Sequence, residues 1–308
     1  MKRILVIRGG AIGDFVLTLP AIKLLRDHFS DAHIEILGHT HIITLAERRF
    51  YADAIRSLES AQLAGFFAKD SVLTPEWTQY FGSFDMILSY LFDPDAIFAA
   101  NLWRCGAANL IMGPAKLGNH EHAARQLAKP LESLGLRLED PGARIFLSEA
   151  DRERVRTFLG DRAPRLVALH PGSGSESKNW PIESWRQLGE FLFSADRHVL
   201  VIVGEADEHR ARLLESAWEG KPVQFVKNEM LPRVAALLEK SLFVGHDSGI
   251  SHLAAAVGAR CILLFGPTDP AIWAPANESV TVLQAPDGNL HLLTVDTVIA
   301  ALKVGLSG

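Results

Sequence analysis

Short apolar runs alternate along this chain with segments whose apolar residues recur every three or four positions. The runs at 4–7, 33–38, 85–90, 110–113, 165–170, 198–204, 223–226, 242–245 and 261–266 have the length of buried strands. Helical spacing runs through 15–29, where Val16, Leu19, Ile22, Leu24 and Leu25 recur, and through 43–50, 184–195, 205–218, 231–240 and 251–257. Short apolar strands alternating with amphipathic helices predict an α/β protein with parallel sheets built from βαβ units. The alternation begins afresh near residue 165, after a charged, proline-containing stretch at 149–164 that reads as a linker. Two Rossmann-like halves follow, 1–155 and 156–308.

Three of the strand ends run into glycine-bearing turns. Gly245-His246-Asp247-Ser248-Gly249-Ile250-Ser251-His252 leads from an apolar run into an Ala-rich helix. The first N–H groups of such a helix have no intrahelical partner, and its dipole favours negative charge, so a phosphate fits there. His170-Pro171-Gly172-Ser173-Gly174-Ser175-Glu176-Ser177-Lys178-Asn179-Trp180-Pro181 follows a second apolar run. Arg8-Gly9-Gly10-Ala11-Ile12-Gly13-Asp14 follows a third. One turn carries a lysine and another an aspartate, which points to a phosphorylated donor together with proton chemistry. Open α/β sheets bind ligands at the carboxyl ends of their strands, so the ligand is expected in a cleft between the halves.

Composition narrows the class. At 308 residues, with 48% hydrophobic and 22% charged residues, the chain is an ordinary globular protein of two-domain size. A formal charge of −5 argues against a nucleic-acid binder. Two cysteines, Cys105 and Cys261, make neither a disulfide framework nor a zinc cluster and fit a reducing, cytoplasmic compartment. The apolar run near the N-terminus stops at Arg8, too short for a signal peptide, and no stretch approaches transmembrane length. A soluble protein is expected, with a peripheral stay at the inner membrane face left open.

Four segments together carry a family resemblance: 4–21, 170–181, 245–256, and Phe265-Gly266-Pro267-Thr268-Asp269-Pro270. In order and spacing, from residue 1 to about 275, they resemble the ADP-heptose:lipopolysaccharide heptosyltransferases of glycosyltransferase family 9. The resemblance implies a GT-B fold and inverting transfer of a heptose from an ADP-sugar to a glycan or glycolipid acceptor, without an obligatory metal or other cofactor. Gly9, Gly10 and Gly13 would form the glycine loop, and Asp14 the general base. A helix-capping role competes for Asp14, because a carboxylate held by several N–H groups is a weak base. Lys178 would neutralise the donor diphosphate, where leaving-group charge develops; a solvated surface lysine is the alternative. Ser173 and Ser175 would donate hydroxyl protons nearby. The second family hydroxyl falls on Gly174, so this chain departs there.

The same resemblance assigns Asp247 to sugar hydroxyls, Ser248 and Gly249 to phosphates, Glu208 to the ribose and Met230 to the adenine pocket. The residues alone also read blandly: Ser248 as a helix cap, Glu208 as a solvated helix residue, Met230 as a core filler. His252, counted with the donor site, equally suits a satisfied structural histidine. The closing helix, 295–306, is expected to pack back on the first domain, as GT-B folds often do.

Weaker signals are set aside. Asp93-Pro94-Asp95 resembles a metal motif of other glycosyltransferases but reads as loop structure. His120 and His122 do not share a helix face and make no metal set. Arg125 and Lys129 could meet an acidic acceptor or form a solvated face. A nicotinamide-dependent oxidoreductase is disfavoured, since the glycines do not spell G-x-G-x-x-G and no acidic residue ends the second strand. A GT-B enzyme using another nucleotide sugar, such as a UDP-sugar transferase or epimerase, and an inactive sugar-nucleotide-binding protein remain as alternatives. The segment 60–110 matches nothing diagnostic, which leaves the acceptor undefined.

Overall fold

The structure is a computed structural model that describes residues 1–204, 207–239 and 241–307. Glu205, Ala206 and Lys240, which the spacing assigns to helix ends, lie outside the described residues. The chain divides into two compact units, Met1–Pro141 and Gly142–Gly308.

The first unit holds strands β1 (Arg3–Arg8), β2 (His33–Gly38), β3 (Ala54–Ser57), β4 (Met86–Ser89) and β5 (Leu110–Met112). Among the described residues they form one sheet in the order β3-β2-β1-β4-β5, parallel throughout. The second unit holds β6 (Leu166–His170), β7 (His198–Val203), β8 (Val223–Lys227), β9 (Leu242–His246), β10 (Arg260–Phe265) and β11 (Val280–Gln284). Its order is β11-β10-β9-β6-β7-β8, again parallel throughout. In each sheet the first strand is flanked on both sides by later ones, β1 by β2 and β4, β6 by β7 and β9. The winding direction reverses beside that strand, and a reversal point opens a crevice at the strands' carboxyl ends.

Burial explains why these runs become central strands. Ile4, Leu5, Val6 and Ile7 are all inaccessible, as are Phe243 and Val244 of β9, because helices cover both faces. Two of the edge strands, β3 and β11, lack such runs. β3 is Ala-Ile-Arg-Ser and half-buried, and β11 alternates as Val-Thr-Val-Leu-Gln, so neither stands out as an apolar run.

Three expectations change. The helix expected at 43–50 is instead Thr40–Ile43, followed by turns. The Arg49 guanidinium donates to the carbonyls of Thr44 and Glu47 and closes those turns. The linker expected at 149–164 contains a helix, Glu149–Leu159, capped reciprocally by Ser148 and Asp151. Arg152 on it makes a bidentate pair with Glu239, so the helix belongs to the second unit and the division falls after residue 141 rather than 155. The closing helix, Val295–Ser307, buries Val298 and Leu302 in the second unit's core beside Trp180 and Trp185.

Gly189 lies inside the helix Ile182–Ser194, where alanine is ordinarily favoured by about 1 kcal/mol. A Cβ there would sit 2.4 Å from Cζ2 of the buried Trp218. Overpacking outweighs propensity, so Gly189→Ala is expected to destabilise the second unit by about 1–2 kcal/mol. The check is a lower denaturant midpoint at unchanged m value; a raised midpoint would show that Trp218 can yield.

Candidate active site

In the first unit the candidate base stands at the reversal point. β1 ends at Arg8, and Gly10 turns the chain with φ +92°, in the left-handed region. A Cβ on Gly10 would lie 2.7 Å from Asp14 Oδ2, so the turn and the carboxylate require glycine together. Gly9 is nearly as confined, with Leu91 3.3 Å from its own hypothetical Cβ. The helix Ile12–His28 then begins, with Gly13 and Asp14 in its first turn. Asp14 Oδ2 accepts the Ala11 N–H at 2.9 Å, a capping interaction made from the third helical position. Its Oδ1 lies 3.3 Å from Arg8 Nη2, and the side chain is 40% exposed.

Arg8 is buried. Its Nε donates to Thr18 Oγ1 at 2.9 Å, its Nη2 donates to the Asp14 carbonyl at 3.2 Å, and its guanidinium lies 5.7 Å from the Tyr90 ring centre. Burial lowers the Arg8 pKa, opposed by the charges of Asp14 and Tyr90. Tyr90 donates its hydroxyl to the Leu127 carbonyl, and burial pushes its pKa up. Asp14 therefore keeps one oxygen on the backbone and turns the other toward a fixed cation and solvent.

In the second unit the loops after β6, β9 and β10 converge on one carboxylate. Lys178 Nζ donates to Asp247 Oδ2 at 2.6 Å, and Thr268 Oγ1 donates to the same oxygen at 2.8 Å. Asp247 is 9% exposed and Lys178 29%, so the ammonium reaches from solvent to a nearly buried anion. Ser173 Oγ donates to the Ser175 carbonyl, and the Ser175 and Ser177 hydroxyls are 2.9 Å apart. Ser248 is the N-cap of the helix Gly249–Ala256 and accepts the Ser251 N–H, with Gly249 opening the helix. His252 is buried one turn in.

Two residues that sequence reasoning passed over shape the lysine loop. His246, fully buried at the end of β9, accepts the Trp180 N–H at Nε2 (2.8 Å) and has Nδ1 3.3 Å from the Gly172 carbonyl. Those partners fix the neutral tautomer with the proton on Nδ1, and burial pushes the His246 pKa down to about 3. Arg210 donates to the carbonyls of Pro171 and Trp180. Neighbouring His170 is also held neutral by burial, with Asp207 acting the other way. His246 lay within the quoted turn, where its type alone said little; nothing in the helical spacing around Arg210 distinguishes it.

Glu208 and Met230 stand apart from this cluster. Glu208 opens the helix Glu208–Ala217, exposed, 3.5 Å from Arg212. Met230 is 67% exposed, which removes the core-filler reading, and it borders a cavity of about 500 Å³ with Asp151, Arg154, Glu229 and Arg233. The Asp93 carboxylate accepts the N–H groups of Phe98 and Ala99, as loop structure requires. His122 caps the helix Ala123–Ala128. Arg125 is tied to the carbonyls of Leu138 and Glu139, and Lys129 to Glu121, so both are engaged. Phe92, Trp103 and Met112 are exposed around a groove that also holds Lys116, whose Nζ lies 4.6 Å over the Phe92 ring.

Residues 118–297, more than half of the chain, match the model of glycosyltransferase family 9 (heptosyltransferase). The chain belongs to glycosyltransferase family 9. Lipopolysaccharide heptosyltransferase 3 of Escherichia coli K12 is 24% identical over 290 residues, 87% of this chain and 83% of that protein. The glycosyl transferase family 9 structure from Veillonella parvula DSM 2008 superposes with a TM-score of 0.83 at 20% identity, covering 99% of this chain and 97% of that one. The heptosyltransferase WaaC of E. coli, solved with ADP, gives 0.75 at 19% identity, covering 98% and 99%. This family 9 chain is a glycosyltransferase with the GT-B fold.

The neutral His246 gives the family 9 chain a pH dependence of definite sign. The unfolded chain takes up a proton near pH 6.5, while the folded imidazole stays neutral down to about 3. Between those values stability falls with falling pH, by about 1.4 kcal/mol per unit for one such site, and His170 acts in the same direction. Thermal unfolding from pH 7 to 4 should show this slope, reduced by one proton in His246→Asn. An equal slope in that variant would remove His246 as its source.

Proposed function

We propose that this chain transfers a heptose, with inversion, from ADP-heptose to a sugar of a lipopolysaccharide core. Asp14 is the general base and Lys178 the cation on the departing diphosphate. The observation that carries the reading is Lys178 beside the N-terminus of the helix Gly249–Ala256, bound to Asp247 at the reversal point of the second sheet. An ammonium has three protons, so the one given to Asp247 leaves others for phosphate oxygens. Support for the sugar and acceptor comes from the family description and the name of the E. coli relative, and for the nucleotide from the ADP of WaaC.

In this reaction the acceptor hydroxyl gives its proton to Asp14 while its oxygen attacks the anomeric carbon from the face opposite the nucleotide. The bond from that carbon to the diphosphate oxygen breaks, and ADP leaves carrying the new negative charge. Oδ1 is the oxygen available for the proton, because Oδ2 is held by the Ala11 N–H. Lys178, the Gly249 N–H and the hydroxyls of Ser173, Ser175 and Ser248 meet the diphosphate. Asp247 takes a sugar hydroxyl on its second oxygen. Glu208 takes the ribose, Met230 borders the base, and His252 supports the helix from within. The exposed Phe92, Trp103 and Met112 with Lys116 favour peripheral contact of the first unit with a membrane carrying the acceptor.

Calorimetric titration with ADP, UDP and GDP, without added metal, tests the donor. ADP is expected to bind selectively, with affinity lowered about tenfold or more in Lys178→Ala, which loses a charge-assisted hydrogen bond. Preference for UDP or GDP would overturn the donor. Asp14→Ala should keep ADP affinity and lower kcat about 10²- to 10⁴-fold; undiminished turnover would remove Asp14 as the base. Sedimentation with acidic phospholipid vesicles should weaken in Phe92→Ser/Trp103→Ser, and equal binding would exclude this patch.

A further inference from the structure

The loop from Pro171 to Trp180 carries Ser173, Ser175 and Lys178, yet its only regular structure is the single 3₁₀ turn Glu176–Lys178. Such a short turn does not by itself hold a lysine in one place. One guanidinium spans the loop from outside. Arg210 Nε donates to the Pro171 carbonyl at 2.9 Å, Nη2 donates to the Trp180 carbonyl, and Nη1 donates to Glu176 Oε1 at 3.2 Å. The other oxygen of Glu176 accepts Asn179 Nδ2 at 3.0 Å, so the two residues bracketing Lys178 are tied to each other and to Arg210. The Arg210 side chain is 14% exposed and Glu176 84%, which makes the cation the fixed member and the carboxylate the follower.

We propose that Arg210 is a positioning residue for the donor diphosphate, acting through Lys178 by clamping both ends and the central turn of the loop. The proposal rests on the reading of Lys178 as the diphosphate cation. All three acceptors of Arg210 belong to this loop, so its removal loosens the loop rather than opening the core. His246 ties nearly the same two ends, at Gly172 and Trp180, but has no bond to the turn that carries the lysine. The planar fork is essential: a lysine at 210 supplies charge from a single nitrogen and cannot meet carbonyls on opposite ends of the loop together with a carboxylate.

A double-mutant cycle on the full chain, read by ADP calorimetry and donor KM, tests this. Arg210→Lys is expected to weaken ADP binding and raise donor KM about tenfold in the wild-type background, but less than about twofold when Lys178 is already alanine. Acceptor KM should stay constant. A merely structural role would lower the active fraction and the melting temperature with ADP affinity unchanged, and would overturn the proposal. So would an equal loss in both backgrounds. Glu176→Ala, which changes only an exposed side chain, should give a smaller loss of the same kind and serves if Arg210→Lys does not fold. ADP affinity unaffected by Lys178→Ala alone would overturn the reading of the lysine and the clamp with it; an intact Lys178 effect beside a silent Arg210→Lys would overturn the clamp alone.

Discussion

His246 stands where β9 ends, and both of its ring nitrogens are engaged with the loop that leaves β6. β6 and β9 are neighbours only because the sheet reverses its winding there, and their register sets His170 opposite Gly245, one residue short of the imidazole. Leaving the Trp180 N–H or the Gly172 carbonyl unpaired at that depth would cost about 1–3 kcal/mol each, so the imidazole must stay neutral and in one tautomer. Gly172 must also stay glycine, because a Cβ there would lie 1.7 Å from Asp207 Oδ1. Asp247 follows His246 directly in the chain and so is aimed by the same constraint. It gathers Lys178 from the loop after β6 and Thr268 from the loop after β10.

The first unit solves a similar problem with a different pair. Arg8 is a buried cation at a strand end, and its contacts are a helix carbonyl, a hydroxyl, a carboxylate and an aromatic face. Capping and proton transfer compete for Asp14 only if one oxygen has to do both. The two oxygens face different groups, with Oδ2 on the Ala11 N–H and Oδ1 toward Arg8 and solvent. In both units the side chain proposed for the chemistry, Asp14 or Lys178, is partly exposed, and a buried residue nearby, Arg8 or His246, supplies the rigidity. A glycosyltransferase needs that arrangement, since charge has to be met at fixed positions as the glycosidic bond to the diphosphate breaks.

Much of this was legible in the residues. Nine apolar runs marked nine of the strands, and their alternation with helices declared parallel sheets, because a strand buried on both faces has to be apolar throughout. The strands β3 and β11 escaped because Arg and Ser in one, and Thr and Gln in the other, break up their few apolar residues. The helix Glu149–Leu159 escaped for a related reason: Asp, Arg and Glu dominate it, and only Val155 and Leu159 anchor its apolar side.

Sequence by itself determined the family, the two-unit parallel architecture and the glycine turns with Asp14 and Lys178, because these depend on local spacing and on residue type at strand ends. Tertiary structure alone decided which groups those residues meet. Asp247 joins Lys178 across 69 positions, and Arg210 reaches back 39 positions to Pro171. Such pairings follow from strand order and register rather than from local pattern, since a parallel crossover separates in sequence the loops that it brings together in space.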